Sequence, residues 1–296
     1  MYDMEQKKKT VKAEQTETSF REALKEKFPE SESERKLAVI VGASSGIGYE
    51  TAIKLIGRNY RIVNISRTTC RLEQVANYLA DVSEADDMEK GILEIGAAMK
   101  NIDALVYCAG FSMAAPIEKA ESEDVRYLFE VNFFGALRAI QAAVPFMKEN
   151  GGRIVLVSSM GGILPIAFDC FYSCSKAALN MLAKSANSEL GEFNIRATAV
   201  LPGGTATTFT FKRKVYGAAA CGEYASRVEQ AASSLADMEQ DGMSAGEVAK
   251  VIVGCLENKN PPVVVHCGAM NKMYAAAERI LPNKATLYLN DRKYFS

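Results

Sequence analysis

The sequence predicts an α/β fold built on a doubly wound parallel sheet, as one domain with an N-terminal extension. Three observations carry that prediction. Short apolar runs rich in β-branched residues recur along the chain, amphipathic stretches of helical periodicity separate most of them, and a glycine-rich turn joins the first run to the first helical stretch. Strands buried on both faces read as continuous apolar runs, and alternating strand and helix signals build a parallel sheet with helices on either side. With 296 residues, 48% of them hydrophobic, and no repeat period, the chain is long for one domain, but α/β domains often reach this size and one large core is expected.

Taken in order, residues 1–36 differ from the rest. They are charged, with three lysines at 7–9 and the run ESESERK at 30–36, and poor in β-branched residues. Phe20, Leu24 and Phe28 recur at i, i+4 and i+8, and Pro29 follows. This spacing predicts one short amphipathic helix in an otherwise partly disordered extension, docked on the body or on a partner subunit. Its acidic residues argue against a transit peptide. From Leu37 onward seven strands are predicted, at 37–41, 61–66, 75–82, 103–109, 153–159, 195–201 and 262–267. Helical periodicity fills Ser83 to Lys100, Ser122 to Lys148, Tyr172 to Glu192 and Ser244 to Glu257. Between Arg67 and Val75 there is room only for a loop. The main domain is expected to span 37–268, with 205–245 as a lid over substrate and 269–296 as a helical tail. In that tail Met270, Met273, Tyr274, Ala277 and Leu281 form an apolar stripe ending before Pro282.

The bulk numbers exclude several functions. Lysine and arginine total 35 against 36 aspartates and glutamates, a net charge of -1, so neither nucleic acid nor an anionic membrane is expected as main partner; a small molecule fits better. The seven cysteines are odd in number and scattered, with no C-x-x-C pair, which points to reduced thiols and a cytoplasmic location. Cys170, Cys174, His266 and Cys267 match no usual zinc-ligand spacing, so no metal is expected. No run approaches the roughly 18 apolar residues of a membrane span.

The chemistry begins at GASSGIG, residues 42–48. Glycines where a strand turns into a helix let the backbone approach a pyrophosphate, and the free N–H groups and positive end of the helix stabilise its charge. The second strand ends in Ser66 and Arg67 rather than in a carboxylate. An acid there would bind the ribose hydroxyls of NAD, whereas a guanidinium suits the 2'-phosphate of NADP, so NADP(H) is favoured over NAD(H). Further along, Tyr172 stands four residues before Lys176, which places both on one face of a helix, one turn apart. A phenol titrates near ~10; an adjacent ammonium is expected to lower that value and make it a usable acid and base. Ser158 and Ser159, at the end of the fifth strand, lie at the sheet edge where open α/β proteins bind ligands. The one histidine, His266, gives a Ser-His-acid triad little support.

These features, with DV at 81–82, CAG at 108–110, Asn132 in VNFFG, VSS at 157–159 and PGGTAT at 202–207, resemble the short-chain dehydrogenase/reductase family over roughly Leu37 to Gly268. The resemblance implies a Rossmann-type sheet of strand order 3-2-1-4-5-6-7, a nicotinamide cofactor, and hydride transfer between it and an alcohol or carbonyl. It implies Tyr172 as general acid/base, Ser159 as the hydroxyl that polarises the substrate oxygen, Lys176 as the group that lowers the tyrosine's pKa and holds the nicotinamide ribose, and Asn132 as holder of a relay water in a locally interrupted helix. It assigns the cofactor to Gly42, Ser44, Ser45, Gly46, Ile47 and Gly48, to Ser66 and Arg67, to Asp81 and Val82 at the adenine, to Ala109 and Gly110 beside the adenosine ribose, to Pro202, Gly203 and Thr205, and to Thr207 near the carboxamide. Relatives often pair, so a homodimer or homotetramer is expected. Tyr107 and Cys108 depart from the family's two asparagines, which puts a sheet-stabilising hydrogen bond in doubt. Phe209, Phe211, Tyr216 and Met243, with Met160, Leu164 and Phe168, are expected to line a pocket for a medium to large apolar, steroid-like or lipid-like substrate. A non-catalytic NADP(H) sensor and an epimerase or dehydratase on the same fold are the alternatives.

Overall fold

The computed structural model describes residues 17–295; the lysine run at 7–9 lies outside them. The seven predicted strands are β1 (Leu37–Val41), β2 (Arg61–Ser66), β3 (Val75–Leu79), β4 (Ala104–Tyr107), β5 (Gly152–Val157), β6 (Ile195–Leu201) and β7 (Val264–His266). They form one sheet in the order β3-β2-β1-β4-β5-β6-β7, every pair parallel. Because successive side chains point to opposite faces, β1 feeds two cores. Leu37, Val39 and Val41 enter one, and Ala38 and Ile40 the other. This is why its five residues are all apolar and all buried.

The first core is closed by α3 (Ala85–Met99), α5 (Gly135–Ala143) and α6 (Cys170–Glu189), the second by α2 (Gly46–Ile56) and α8 (Ala245–Glu257). Between β2 and β3 the chain crosses as a loop, as the short spacing requires. Helix α8 starts at a capping box, in which Ser244 and Glu247 satisfy each other's backbone amides. The long helix predicted over Ser122–Lys148 is broken: α4 (Ser122–Phe129) runs into a π-turn at Glu130–Phe134, then α5, then a 3-10 turn at Val144–Phe146. A proline inside that last turn removes a helical donor, while the π-turn is built around Asn132.

Helix α1 (Glu17–Lys27) packs against α3 and β3. Phe20, Leu24 and Phe28 are buried in the first core, Phe20 lying edge-on to Tyr78 with ring centroids 4.9 Å apart, and the Lys27 ammonium donates to the Val75 carbonyl. The extension therefore docks its helix on the body. At the other end, α9 (Ala269–Ile280) and α10 (Asn283–Phe295) form a hairpin, with α10 along α7 (Ala225–Gln240). Among the described residues no helix is long and apolar enough to cross a membrane.

Four strands end earlier than their apolar runs: β3 at Leu79, β4 at Tyr107, β5 at Val157 and β7 at His266. The ladder extends one residue further, with Cys108 N donating to Val41 O and Ser158 N to Val200 O, and then the chains diverge. Asp81, Val82, Ala109, Gly110 and Ser159 are thereby released from the sheet at its carboxyl edge.

Candidate active site

A cleft of about 1230 Å³ opens at that edge. Its floor at one end is the glycine-rich turn. Gly42 has φ +96 and Gly46 φ +58, the left-handed region that disfavours a side chain. A Cβ on Gly48 would stand 2.2 Å from the Gly42 carbonyl oxygen, so α2 approaches β1 only because that position is bare. The N-terminus of the eleven-residue α2 thus faces the cleft with its amides free. Ser44, Ser45, Ile47, Ser66, Arg67, Asp81, Val82, Ala109, Gly110, Pro202, Gly203, Thr205 and Thr207 all line the same cleft. Ser66 is buried with its hydroxyl donated to Thr68 O, whereas Arg67 is exposed at the rim beside the Tyr127 hydroxyl. This cradle of bare backbone, helix terminus and rim guanidinium fits a dinucleotide.

At the other end Ser159, Tyr172 and Lys176 converge. Ser159 leaves β5 in extended conformation and its Oγ accepts the Gly161 amide at 2.9 Å. Ser158 instead donates its hydroxyl to the Lys176 carbonyl and is buried. The Tyr172 ring packs on Phe209, centroids 5.8 Å apart. Lys176 Nζ donates to Val157 O at 2.9 Å and sits 5.6 Å from the Tyr172 ring centroid.

The electrostatics correct one expectation. Burial pushes the Tyr172 phenol well above its ordinary range; the groups that pull it down are the hydrogen-bonding Ser159 hydroxyl and the Arg213 charge, not Lys176. Burial also pulls Lys176 down to about 8. Desolvation penalises both charged forms and is the largest cause of the shift at each group. The phenol is consequently a firmly protonated acid, the form that donates to an oxygen acquiring charge.

Asn132 lies behind the cleft wall, fully buried. Its Oδ1 accepts the Phe111 amide, and its Nδ2 donates to Phe111 O and to Ser175 Oγ, each at 3.0 Å. Ser175 in turn donates to Tyr172 O. Asn132 therefore ties the Gly110–Phe111 loop to α6, and a Cβ on Gly110 would come 3.1 Å from its Oδ1. The departure at Tyr107 has its own compensation: the phenol is fully buried and donates to Val131 O at 2.6 Å, which supports the π-turn carrying Asn132.

The chain is matched by the family model described as short chain dehydrogenase over residues 36–215. It belongs to the short-chain dehydrogenase family. It is 27% identical over 257 residues to a 3-ketodihydrosphingosine reductase of Bacteroides thetaiotaomicron, covering 86% of this chain and 96% of that protein. To an NADPH-dependent 1-acyldihydroxyacetone phosphate reductase of Saccharomyces cerevisiae it is 31% identical, over 60% of this chain and 64% of that one. A solved short-chain dehydrogenase from Streptomyces avermitilis superposes with TM-score 0.74 at 25% identity, covering 83% of this chain and 92% of that one. As a short-chain dehydrogenase the protein is an oxidoreductase that works on an alcohol or carbonyl with a nicotinamide cofactor.

Several cleft residues of this short-chain dehydrogenase escaped the sequence reading. The run Lys212-Arg213-Lys214 lies in the expected lid without a role assigned to it, yet each member has a partner: Lys212 Nζ donates to Ser45 Oγ in the glycine-rich turn, Arg213 pairs with Glu239, and Lys214 pairs with Asp124. Asp169, Asn290 and Tyr294 also line the cleft. Of the expected apolar lining, Met160, Leu164 and Phe209 are present, but Phe211 is 82% exposed, Tyr216 bonds Asp124 and the Glu121 amide, and Phe168 packs on Tyr224 and Phe295.

Proposed function

We propose that the protein is an NADP(H)-dependent reductase of an apolar, lipid-like ketone. The observation that carries this reading is the convergence of two cleft-facing hydroxyls, Ser159 and the protonated Tyr172, beside a buried lysine and opposite a dinucleotide cradle. When bound, the nicotinamide supplies the hydride. Ser159 and Tyr172 donate hydrogen bonds to the carbonyl oxygen as negative charge grows there, and Tyr172 then gives up its proton to complete the alcohol. Lys176, held by the Val157 carbonyl, would hold the nicotinamide ribose. Asn132, with Ser175, fixes the loop and helix that set these distances. Arg67 favours the 2'-phosphate, in keeping with the NADPH dependence in the yeast relative's name. Apolar Met160, Leu164 and Phe209 favour a lipid-like substrate, as do the names of both reductase relatives.

The test is Tyr172→Phe. NADPH binding, followed by fluorescence titration, is expected to stay within about twofold, while NADPH oxidation with a long-chain ketone falls by about 10²–10⁴-fold, the usual worth of a positioned acid. Near-normal turnover in that variant would falsify the assignment.

A further inference from the structure

The inner end of the cleft holds a polar cluster that the reductase chemistry leaves unused. Asp169 immediately precedes α6 and is 1% exposed. Its Oδ1 accepts the Met113 amide at 3.0 Å, but its Oδ2 has no hydrogen-bond partner. The neighbouring charges are already paired. Arg213 Nη2 lies 2.5 Å from Glu239 Oε1, with side-chain exposures of 3% and 10%, Arg213 Nε donates to Ser112 Oγ at 2.8 Å, and Glu239 also takes the Thr210 hydroxyl. Ser112, Asp169, Arg213 and Glu239 all line the cleft. Two carboxyl groups thus face one guanidinium, and Asp169 Oδ2 is left without a hydrogen bond of its own, although the Ser112 hydroxyl is near enough to favour the anion.

A buried polar oxygen without a donor is costly to maintain, and this one lies in the wall of a ligand cleft. Asp169 stands three residues before Tyr172, at the N-cap of the same helix, and its charge reaches the Tyr172 phenol. Met160, Leu164, Leu235 and Met238 supply apolar lining elsewhere in the same cleft.

Resting on the reductase reading, we propose that Asp169 anchors the polar end of the substrate: its free Oδ2 accepts a hydrogen bond from an ammonium or hydroxyl group on the carbon next to the reacting carbonyl of an otherwise apolar ketone. Burial supports this by raising the Asp169 carboxyl to about 7, with Glu239 adding to the shift and the Met113 amide, Arg213 and Ser112 opposing it; Tyr172 and Tyr294 also face it, each feeling its charge. Around neutrality the carboxyl is therefore available in both forms, and the anion that favours an ammonium grows as pH rises through about 7.

The test uses a ketone series R–CO–CH2–X in which R is a decyl chain and X is methyl, hydroxyl or ammonium, assayed with NADPH. In the wild type, kcat/KM for at least one of the two donor-bearing members is expected to exceed that for the methyl member by tenfold or more, the worth of a hydrogen bond to a charged group. Which member leads separates the two donors. In Asp169→Asn, which keeps an oxygen for the Met113 amide, the preference collapses to about twofold, and if ammonium leads, the acid limb near pH 7 in its KM profile disappears. The wild-type preference is measured independently, so a variant that fails to fold leaves that test standing. Equal kcat/KM across the series, or a preference that survives in Asp169→Asn, overturns the anchor while the reductase reading stands. No turnover of any member by protein that still binds NADPH overturns the reductase reading and the anchor with it.

Discussion

At the scale of single residues, Lys176 shows how a functional group is held at a thermodynamic cost. Its pKa falls from 10.5 to about 8 on burial, so the unfolded chain binds more protons than the native one between those values, and native stability rises with pH across that window. The contribution is fully present above about 10.5 and is lost as pH falls through about 8. Lys176→Met removes the titration. The difference in unfolding free energy between wild type and Lys176→Met, from urea melts of the ligand-free proteins, is therefore expected to shift in favour of wild type by about 2–3 kcal/mol between pH 7 and 10.5. A flat difference would show that the amine is solvated. Arg67 provides a second test at this scale. It is exposed at the rim, and Arg67→Ala is expected to weaken NADPH binding about tenfold or more while NADH binding changes little, since one charged hydrogen-bond partner of the 2'-phosphate is lost; equal loss for both cofactors would remove the basis for the NADP(H) preference. Residues in contiguous motifs, such as Gly42 to Gly48 or Tyr172 and Lys176, were legible in the sequence because local spacing defines their geometry. Asp169 and Arg213 were not, because their meaning comes from a meeting of segments far apart in the chain, and neither residue type is unusual where it stands. The direction of the Tyr172 shift was illegible for a related reason: spacing tells which charges are neighbours, not how deeply they are buried.

At the scale of elements, the strands were legible almost to the residue in β1, β2 and β6, where burial on both faces enforces an unbroken apolar run. They were over-read at the carboxyl edge, since apolar Val82 and Ala109 continue the pattern after the hydrogen-bonded ladder has stopped. The π-turn at Glu130–Phe134 was visible only as an asparagine in a helical stretch; its phase shift comes from tertiary bonds to Phe111 and Ser175. Tyr107 is part of that support. Tyr107→Phe leaves the buried Val131 carbonyl without its 2.6 Å donor and is expected to cost about 1–3 kcal/mol in unfolding free energy. Turnover should fall too if the π-turn sets the position of the Tyr172 helix. Helix α1 gives a cleaner packing test. Leu24 is fully buried between α1 and the first core, so Leu24→Ala is expected to destabilise the protein by about 2–5 kcal/mol with NADPH affinity unchanged, since α1 does not reach the cleft. A loss within 0.5 kcal/mol, the range of ordinary surface changes, would mean that the extension is an appendage in solution.

At the scale of the whole molecule, the doubly wound sheet gathers every strand's carboxyl end on one edge, and the chain then covers that edge with segments that follow the core. Residues 205–245 approach from one side, where Lys212 reaches the glycine-rich turn. The C-terminal hairpin approaches from the other: Met270, Asn271 and Tyr274 of α9 and Asn290 and Tyr294 of α10 line the cleft. Helix α10 is fastened to the body by Asn290, which donates to Pro165 O, by Ser234, which donates to Tyr294 O, and by Phe295, which lies under the Arg227 guanidinium at 4.5 Å. None of these contacts touches Gly42 to Gly48 or Arg67. Ending the chain after Leu281 should therefore leave NADPH binding within about threefold, while the KM for a long-chain ketone rises about tenfold or more, because one wall of the substrate end opens to water and apolar burial is lost at roughly 25 cal/mol per Å². Tyr294→Ala, which leaves the Asn290, Ser234 and Phe295 contacts of α10 available, should raise KM in the same direction by a smaller factor. Fluorescence titration and initial rates on both variants check this division of labour. An unchanged KM would show that α10 is a surface element, whereas parallel loss of cofactor and ketone binding would show that the hairpin holds the fold together rather than the substrate.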